Sequence, residues 1–195
     1  MKAALEGIVL KFTWTFFLIF ANTLVYAYTS VKSGDFIVTD FNVLMLYGQF
    51  NLAVIAKGWY WQLFTSIFVH VNLPHIILNM FFLLIFGLRA EELFKGREFL
   101  FIYFASGLAG SVLTLLLPPL TVSAGASGAI FGIFGASVIF MRKAFGMSVF
   151  SALVYSLLFL MLSASEGVNL FAHLGGLAAG LVIGYVFAKS RKVSF

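Results

Sequence analysis

Six runs of 19 or more residues carry no Asp, Glu, Lys or Arg, the third and fourth divided by Pro118-Pro119: residues 12–31, 58–88, 99–117, 120–141, 144–165 and 167–188. A hydrocarbon core about 30 Å thick takes about 20 apolar residues at 1.5 Å per residue, so this recurrence restricts the chain to a bundle of membrane-crossing helices. The second run is longer than one span needs and is divided by His70-Val71-Asn72-Leu73-Pro74-His75. Pro74 suits a first helical turn, where its missing N–H costs nothing, and Trp59, Tyr60 and Trp61 suit the membrane–water boundary. The expected spans are therefore about 12–31, 74–88, 99–117, 124–141, 146–163 and 169–188, with an outer loop at 32–73, all in a single membrane domain over 1–195. The first run is too long for a signal peptide and lacks a small-residue cleavage site, so it reads as an uncleaved span. Arg89 to Glu98 reads as a charged loop, and Pro118-Pro119 as the end of the third span.

Composition agrees. The sequence is 62% hydrophobic and 10% charged, against roughly 45–50% and 25% for a soluble domain. There is no cysteine, which removes disulfides, thiol nucleophiles and thiolate metal sites. The net charge of +5 comes from short clusters beside apolar runs and forms no basic stripe with interleaved aromatics, so nucleic acid is not an expected partner. Of the twelve Lys and Arg residues only Lys32 and Lys57 fall opposite the termini in a six-span layout. By the positive-inside rule both termini are cytoplasmic. The beginnings of the second, fourth and sixth spans then share the outer face, and they contain His75, Ser127 and His173.

Ser127 lies in Ser123-Ala124-Gly125-Ala126-Ser127-Gly128, at the start of a span, where free N–H groups and a positive dipole end suit a developing oxyanion. Small residues recur every fourth position at Ala124, Gly128, Gly132 and Ala136, and again at Ala172, Gly176, Gly180 and Gly184. Two parallel helices with such stripes approach closely, which brings Ser127 and His173 into reach. A serine is a weak nucleophile without an adjacent base, and histidine has the pKa suited to that task. Ser127 and His173 therefore form a candidate dyad. His75 and Asn79, four residues apart, share one helix face; with the Ser127 N–H they are the available oxyanion donors. His70 falls about 140° from His75 on a continuous helical wheel and is expected to stay apart. Glu166 lies about two turns from His173 and is expected to be solvated, leaving Asn169, one turn before His173, as a candidate to orient its ring.

Gly-Ala-Ser-Gly at 125–128, His75 with Asn79, and Ala172-His173 followed by Gly176 and Gly180 resemble the rhomboid intramembrane serine proteases. The similarity covers roughly residues 58–188 and includes Trp61, Thr65 and the Glu92…Gly96 loop. It implies a six-helix rhomboid-like bundle with Ser127 as nucleophile, His173 as base and His75, Asn79 and the Ser127 N–H as oxyanion donors. It further implies no cofactor or metal, single-span membrane protein substrates entering sideways past the fifth span, and a site open to the extracytoplasmic side of the cytoplasmic membrane. Two positions depart from the family pattern: Gln62 stands where arginine usually follows the tryptophan, and Phe131, able to stack on His173, stands where tyrosine is common.

A transporter would need polar residues along both halves of its path, whereas the cytoplasmic halves here are almost purely apolar. A metal site built on His70, His75 and His173 lacks helical spacing and a completing carboxylate or thiolate. A catalytically dead relative would not need Ser127 and His173 intact.

Overall fold

The computed structural model describes residues 13–145, 148, 154 and 168–190. Eight helices and two very short strands make up this part: α1 (Trp14–Ser33), α2 (Phe41–Tyr47), β1 (Gln49–Phe50), α3 (Asn51–Lys57), α4 (Gln62–Thr65), α5 (Leu73–Leu93), α6 (Gly96–Thr114), β2 (Val122–Ser123), α7 (Ser127–Phe145) and α8 (Leu170–Ser190). Among the described residues three helices, α1, α5 and α8, are long and apolar enough to cross a membrane, and Ser127–Arg142 of α7 is a shorter apolar helix. The expected fifth span, 146–163, and Glu166 lie outside the described residues.

Exposed Phe17, Phe20 and Leu24 on α1, Ile77, Leu78 and Phe81 on α5, and Val182, Tyr185 and Val186 on α8 cover the outside of the bundle. An apolar exterior of this extent has no place in water and fits lipid. Polar side chains point inward instead, with Thr15, Asn22, Thr29 and Ser30 on the buried face of α1. Asn22 shows how they are accommodated: its Nδ2 donates to the Leu18 carbonyl and to the hydroxyl of Tyr103 on α6.

The two small-residue stripes meet in parallel register. A methyl group at Gly176 would run into the carbonyl of Gly128, one at Gly180 into that of Gly132, and one at Gly184 would lie 2.5 Å from that of Ala136. α7 and α8 therefore touch backbone to backbone. α6 closes against both: a methyl at Gly110 would meet the Ala172 carbonyl at 2.5 Å, and Gly132 leaves room for Ser106. Phe99, Ile102 and Tyr103 of α6 join Leu83 of α5 and Ile130 and Ile133 of α7 in the buried apolar core.

Two stretches differ from the sequence expectation. The charged loop expected over 89–98 shrinks to Phe94 and Lys95, because α5 continues to Leu93 and carries Glu91 to the start of α1. There the Glu91 carboxylate accepts from the Trp14 N–H at 2.8 Å, the Thr15 N–H at 3.1 Å and the Thr15 hydroxyl at 2.6 Å, satisfying N–H groups that have no partner within the helix.

The outer segment 32–73, expected as a loop, is folded into α2, β1, α3 and α4. β1 pairs antiparallel with β2, Gln49 opposite Ser123 and Phe50 opposite Val122, which fixes this segment to the residues just before Ser127. Asn51 Nδ2 donates to the carbonyls of Thr114 and Leu117, at the end of α6 and in the turn that leads to the double proline. Gln62, the departure from the family pattern, is completely buried. Its Oε1 accepts from the Phe50 N–H at 3.0 Å, and its Nε2 donates to the Met45 and Leu46 carbonyls at 2.8 and 3.1 Å. A neutral amide thus clasps the end of α2 to β1. Replacing Gln62 with alanine strands these groups inside the protein and is expected to lower stability by about 3 kcal/mol. Thermal unfolding in detergent checks this, and an unchanged melting temperature would show that the clasp contributes nothing.

Candidate active site

The site gathers where the outer ends of α5, α7 and α8 meet. Gly125 has φ 135°, a conformation that side chains rarely tolerate, and its N–H donates to the Ser66 carbonyl at 2.9 Å. This turn sets the entry to α7, with Ser127 as its first residue. Any residue with a Cβ at 125 would also lie 2.8 Å from Cε1 and 2.9 Å from Nε2 of His75. The glycine therefore does two things at once: it aims Ser127 and it admits the His75 ring.

His173 is buried on α8. Its Nε2 lies 2.8 Å from the Ser127 Oγ. Phe131, one turn further along α7, stacks on the imidazole with centroids 4.4 Å apart and planes 22° apart. Gly128 makes the approach feasible, since a methyl there would lie 3.1 Å from the Ala172 carbonyl.

His75 and Asn79 share a face of α5, as their spacing implies. Asn72 caps this helix, its Oδ1 accepting from the His75 N–H at 2.8 Å, with proline in the first turn. Asn79 is buried, and its Nδ2 donates to the His75 carbonyl at 2.9 Å; one amide hydrogen is thereby engaged and a second remains on the same nitrogen. Asn169 is placed differently from the expectation. Its Nδ2 donates to the hydroxyls of Thr114 and Ser123, both at 2.8 Å, and its Oδ1 accepts from the Ala172 N–H at 3.1 Å. With both ends of the amide so engaged, Asn169 fastens the start of α8 to α6 and β2, and it places His173 through the backbone.

His70 corrects a second expectation. The wheel that set it apart assumes an unbroken helix, but the chain leaves helical geometry at 69–72 before α5 begins. The His70 ring consequently packs edge-on against His75, with centroids 5.2 Å apart. The signal was present in Asn72-Leu73-Pro74, a cap followed by an early proline.

The described carboxylates are engaged elsewhere. Glu91 holds the start of α1, Glu92 pairs with Arg89, and Asp35 and Asp40 accept from N–H groups of their own turns. Among the described residues no cluster of three or more His, Cys, Asp or Glu could hold a metal ion. Behind Gly125, Ser66, Ser111, Thr114 and Ser123 line a cavity of about 20 Å³, polar and roomy enough for a water molecule.

Comparison with known proteins adds an independent line. Residues 57–190 match the model of the rhomboid domain. Over 149 residues the chain is 32% identical to the putative rhomboid protease YdcA of Bacillus subtilis, covering 73% of this chain and 74% of that protein. It is 31% identical to the rhomboid protease GluP of the same organism, over 87% of this chain and 34% of GluP. Similarity to rhomboid-like protease 3 of Toxoplasma gondii is 30% over 84% of this chain. The chain spans 65% of that protein and 36% of the RHOMBOID-like protein 1 of Arabidopsis thaliana.

Proposed function

Because the chain belongs to the rhomboid family, we propose that it is an intramembrane serine protease that hydrolyses peptide bonds in or near the transmembrane segments of membrane proteins. The 2.8 Å approach of His173 Nε2 to Ser127 Oγ, at the outer ends of helices with an apolar exterior, carries this reading. His173 removes the hydroxyl proton as Oγ attacks the scissile carbonyl. Charge then develops on the carbonyl oxygen beside the free N–H groups at the start of α7, with His75 and Asn79 as further donors. The resulting imidazolium protonates the leaving amine, and water, activated by the same histidine, releases the acyl group. The engagement of the described carboxylates elsewhere supports a dyad. Phe131 holds the imidazole plane by stacking.

In this reading the chain is one membrane domain of six spans, with residues 146–163 supplying the fifth, in the cytoplasmic membrane. The excess of Lys and Arg on the side of the termini supports cytoplasmic termini and a site open to the opposite face. Substrates are single-span proteins. A peptide bond inside a membrane helix is shielded by its own hydrogen bonds, so a substrate enters from the lipid and unwinds near its outer end, where helix-weakening residues such as glycine favour cleavage. The fifth span is the movable wall, since it lacks the regular small-residue stripe that locks α7 to α8.

A fluorophosphonate probe reports directly on an activated serine. The purified protein is expected to be labelled at Ser127, with labelling lost in Ser127→Ala and strongly reduced in His173→Ala. Absence of labelling in a folded wild-type sample would overturn the reading.

A further inference from the structure

None of the chemistry proposed for Ser127 and His173 uses His70, although this ring is completely buried beside His75. His70 Nδ1 lies 3.2 Å from the Phe68 carbonyl oxygen; a carbonyl only accepts, so this nitrogen carries the ring proton. Burial, together with the neighbouring His75, pushes His70 down to about 3, so the ring is neutral at pH 7 and its Nε2 is a bare acceptor. That Nε2 is buried without a hydrogen-bond partner, and so is Nδ1 of His75 on the adjoining ring. A nitrogen buried in this way destabilises the fold unless a donor reaches it.

We propose that His70 is a positioning residue for His75, acting through one shared water that donates one hydrogen to His70 Nε2 and the other to His75 Nδ1. With Nδ1 accepting, the proton of neutral His75 resides on Nε2, the nitrogen next to Gly125. In a histidine, the hydrogen bond at one ring nitrogen sets the protonation of the other. The relay runs from the Phe68 carbonyl through His70 and the water to His75, and it ends in an N–H directed at the oxyanion. The opposite arrangement, with His75 Nδ1–H given directly to His70 Nε2, would place a lone pair where the oxyanion needs a donor. This inference rests on the reading of His75 as an oxyanion donor.

The experiment uses the full chain in bilayers, with His70→Leu and His70→Gln beside the wild type. Glutamine keeps an acceptor oxygen near the Nε2 position and leucine removes it. In His70→Leu, kcat is expected to fall roughly 10- to 100-fold with KM nearly unchanged, and in His70→Gln most of the activity returns. Ring ¹⁵N signals of His75 in the wild type are expected to show Nδ1 unprotonated and Nε2 protonated, with this state lost in the leucine variant. Unchanged kcat in His70→Leu, equal losses in both variants with normal melting, or a wild-type His75 protonated at Nδ1 would each overturn the proposal. If His70→Leu does not fold, the wild-type ring signals decide alone. Fluorophosphonate labelling of wild-type Ser127 is recorded in parallel: its absence ends the protease reading, whereas the ring signals still test the pairing of His70 with His75.

Discussion

Alanine at Ser127 is expected to lower kcat for a reconstituted single-span substrate by roughly 10⁴- to 10⁶-fold, with alanine at His173 close behind, because a nucleophile and its base act as a unit. The 2.8 Å contact makes a further prediction: the double variant loses little more than either single one. Melting of Ser127→Ala should stay close to wild type, since only a hydroxyl is removed, whereas His173→Ala also loses the ring stacked on Phe131. Chelators should leave wild-type cleavage intact. Cleavage measured by gel assay and by a soluble peptide ester checks all of this. Residual activity near wild type in Ser127→Ala would remove Ser127 as the nucleophile, and losses that multiply in the double variant would separate the two residues.

The second large effect is expected at Gly176. Its Cα lies against the Gly128 carbonyl, one position from Ser127 on one helix and three from His173 on the other. No flexible side chain is available to yield there, so alanine at 176 forces α7 and α8 apart at the level of the dyad. Overpacking of this kind costs about 3 kcal/mol, and a displacement of about 1 Å at a reacting pair costs on the order of 10²-fold in rate. Gly184 supplies the contrast. A methyl there would also crowd the α7 backbone, at Ala136, but two turns further from Ser127. Gly184→Ala should therefore lower melting while changing kcat much less. Equal kcat losses in the two variants would mean that the stripe acts through stability alone.

The seam between α7 and α8 was legible in the sequence because it depends on local periodicity: small residues at every fourth position on two segments need no knowledge of the rest of the fold. The same holds for His75 with Asn79, whose shared face follows from a spacing of four. What escaped were contacts between residues far apart in sequence. Asn51 reaches carbonyls more than 60 residues away, and Glu91 caps a helix that begins 77 residues earlier; a polar residue in a mixed segment does not announce which distant groups it will satisfy. Gln62 shows the limit of comparison by pattern. A neutral amide in place of the family's usual arginine left the anchoring of the outer segment open, and three hydrogen bonds to main-chain groups of α2 and β1 supply it. Asn169 sits just before α8 and bonds other groups than the His173 ring, because helix spacing gives direction and says nothing of the hydroxyls of Thr114 and Ser123 that arrive from elsewhere.

The order of Ser127 and His173 along the chain has a consequence for biogenesis. Ser127 leaves the ribosome first, and His173 follows 46 residues later, a delay of roughly 2–9 s at 5–20 residues per second. During that interval Ser127 lacks its contact with His173, and the turn at Gly125 lacks the seam with α8 that holds α7 in register. Helices of other newly made proteins share the insertion site and its surrounding lipid at that moment. In the proposed mechanism the nascent chain passes them unarmed, and it becomes able to cut only once α8 has docked against α7.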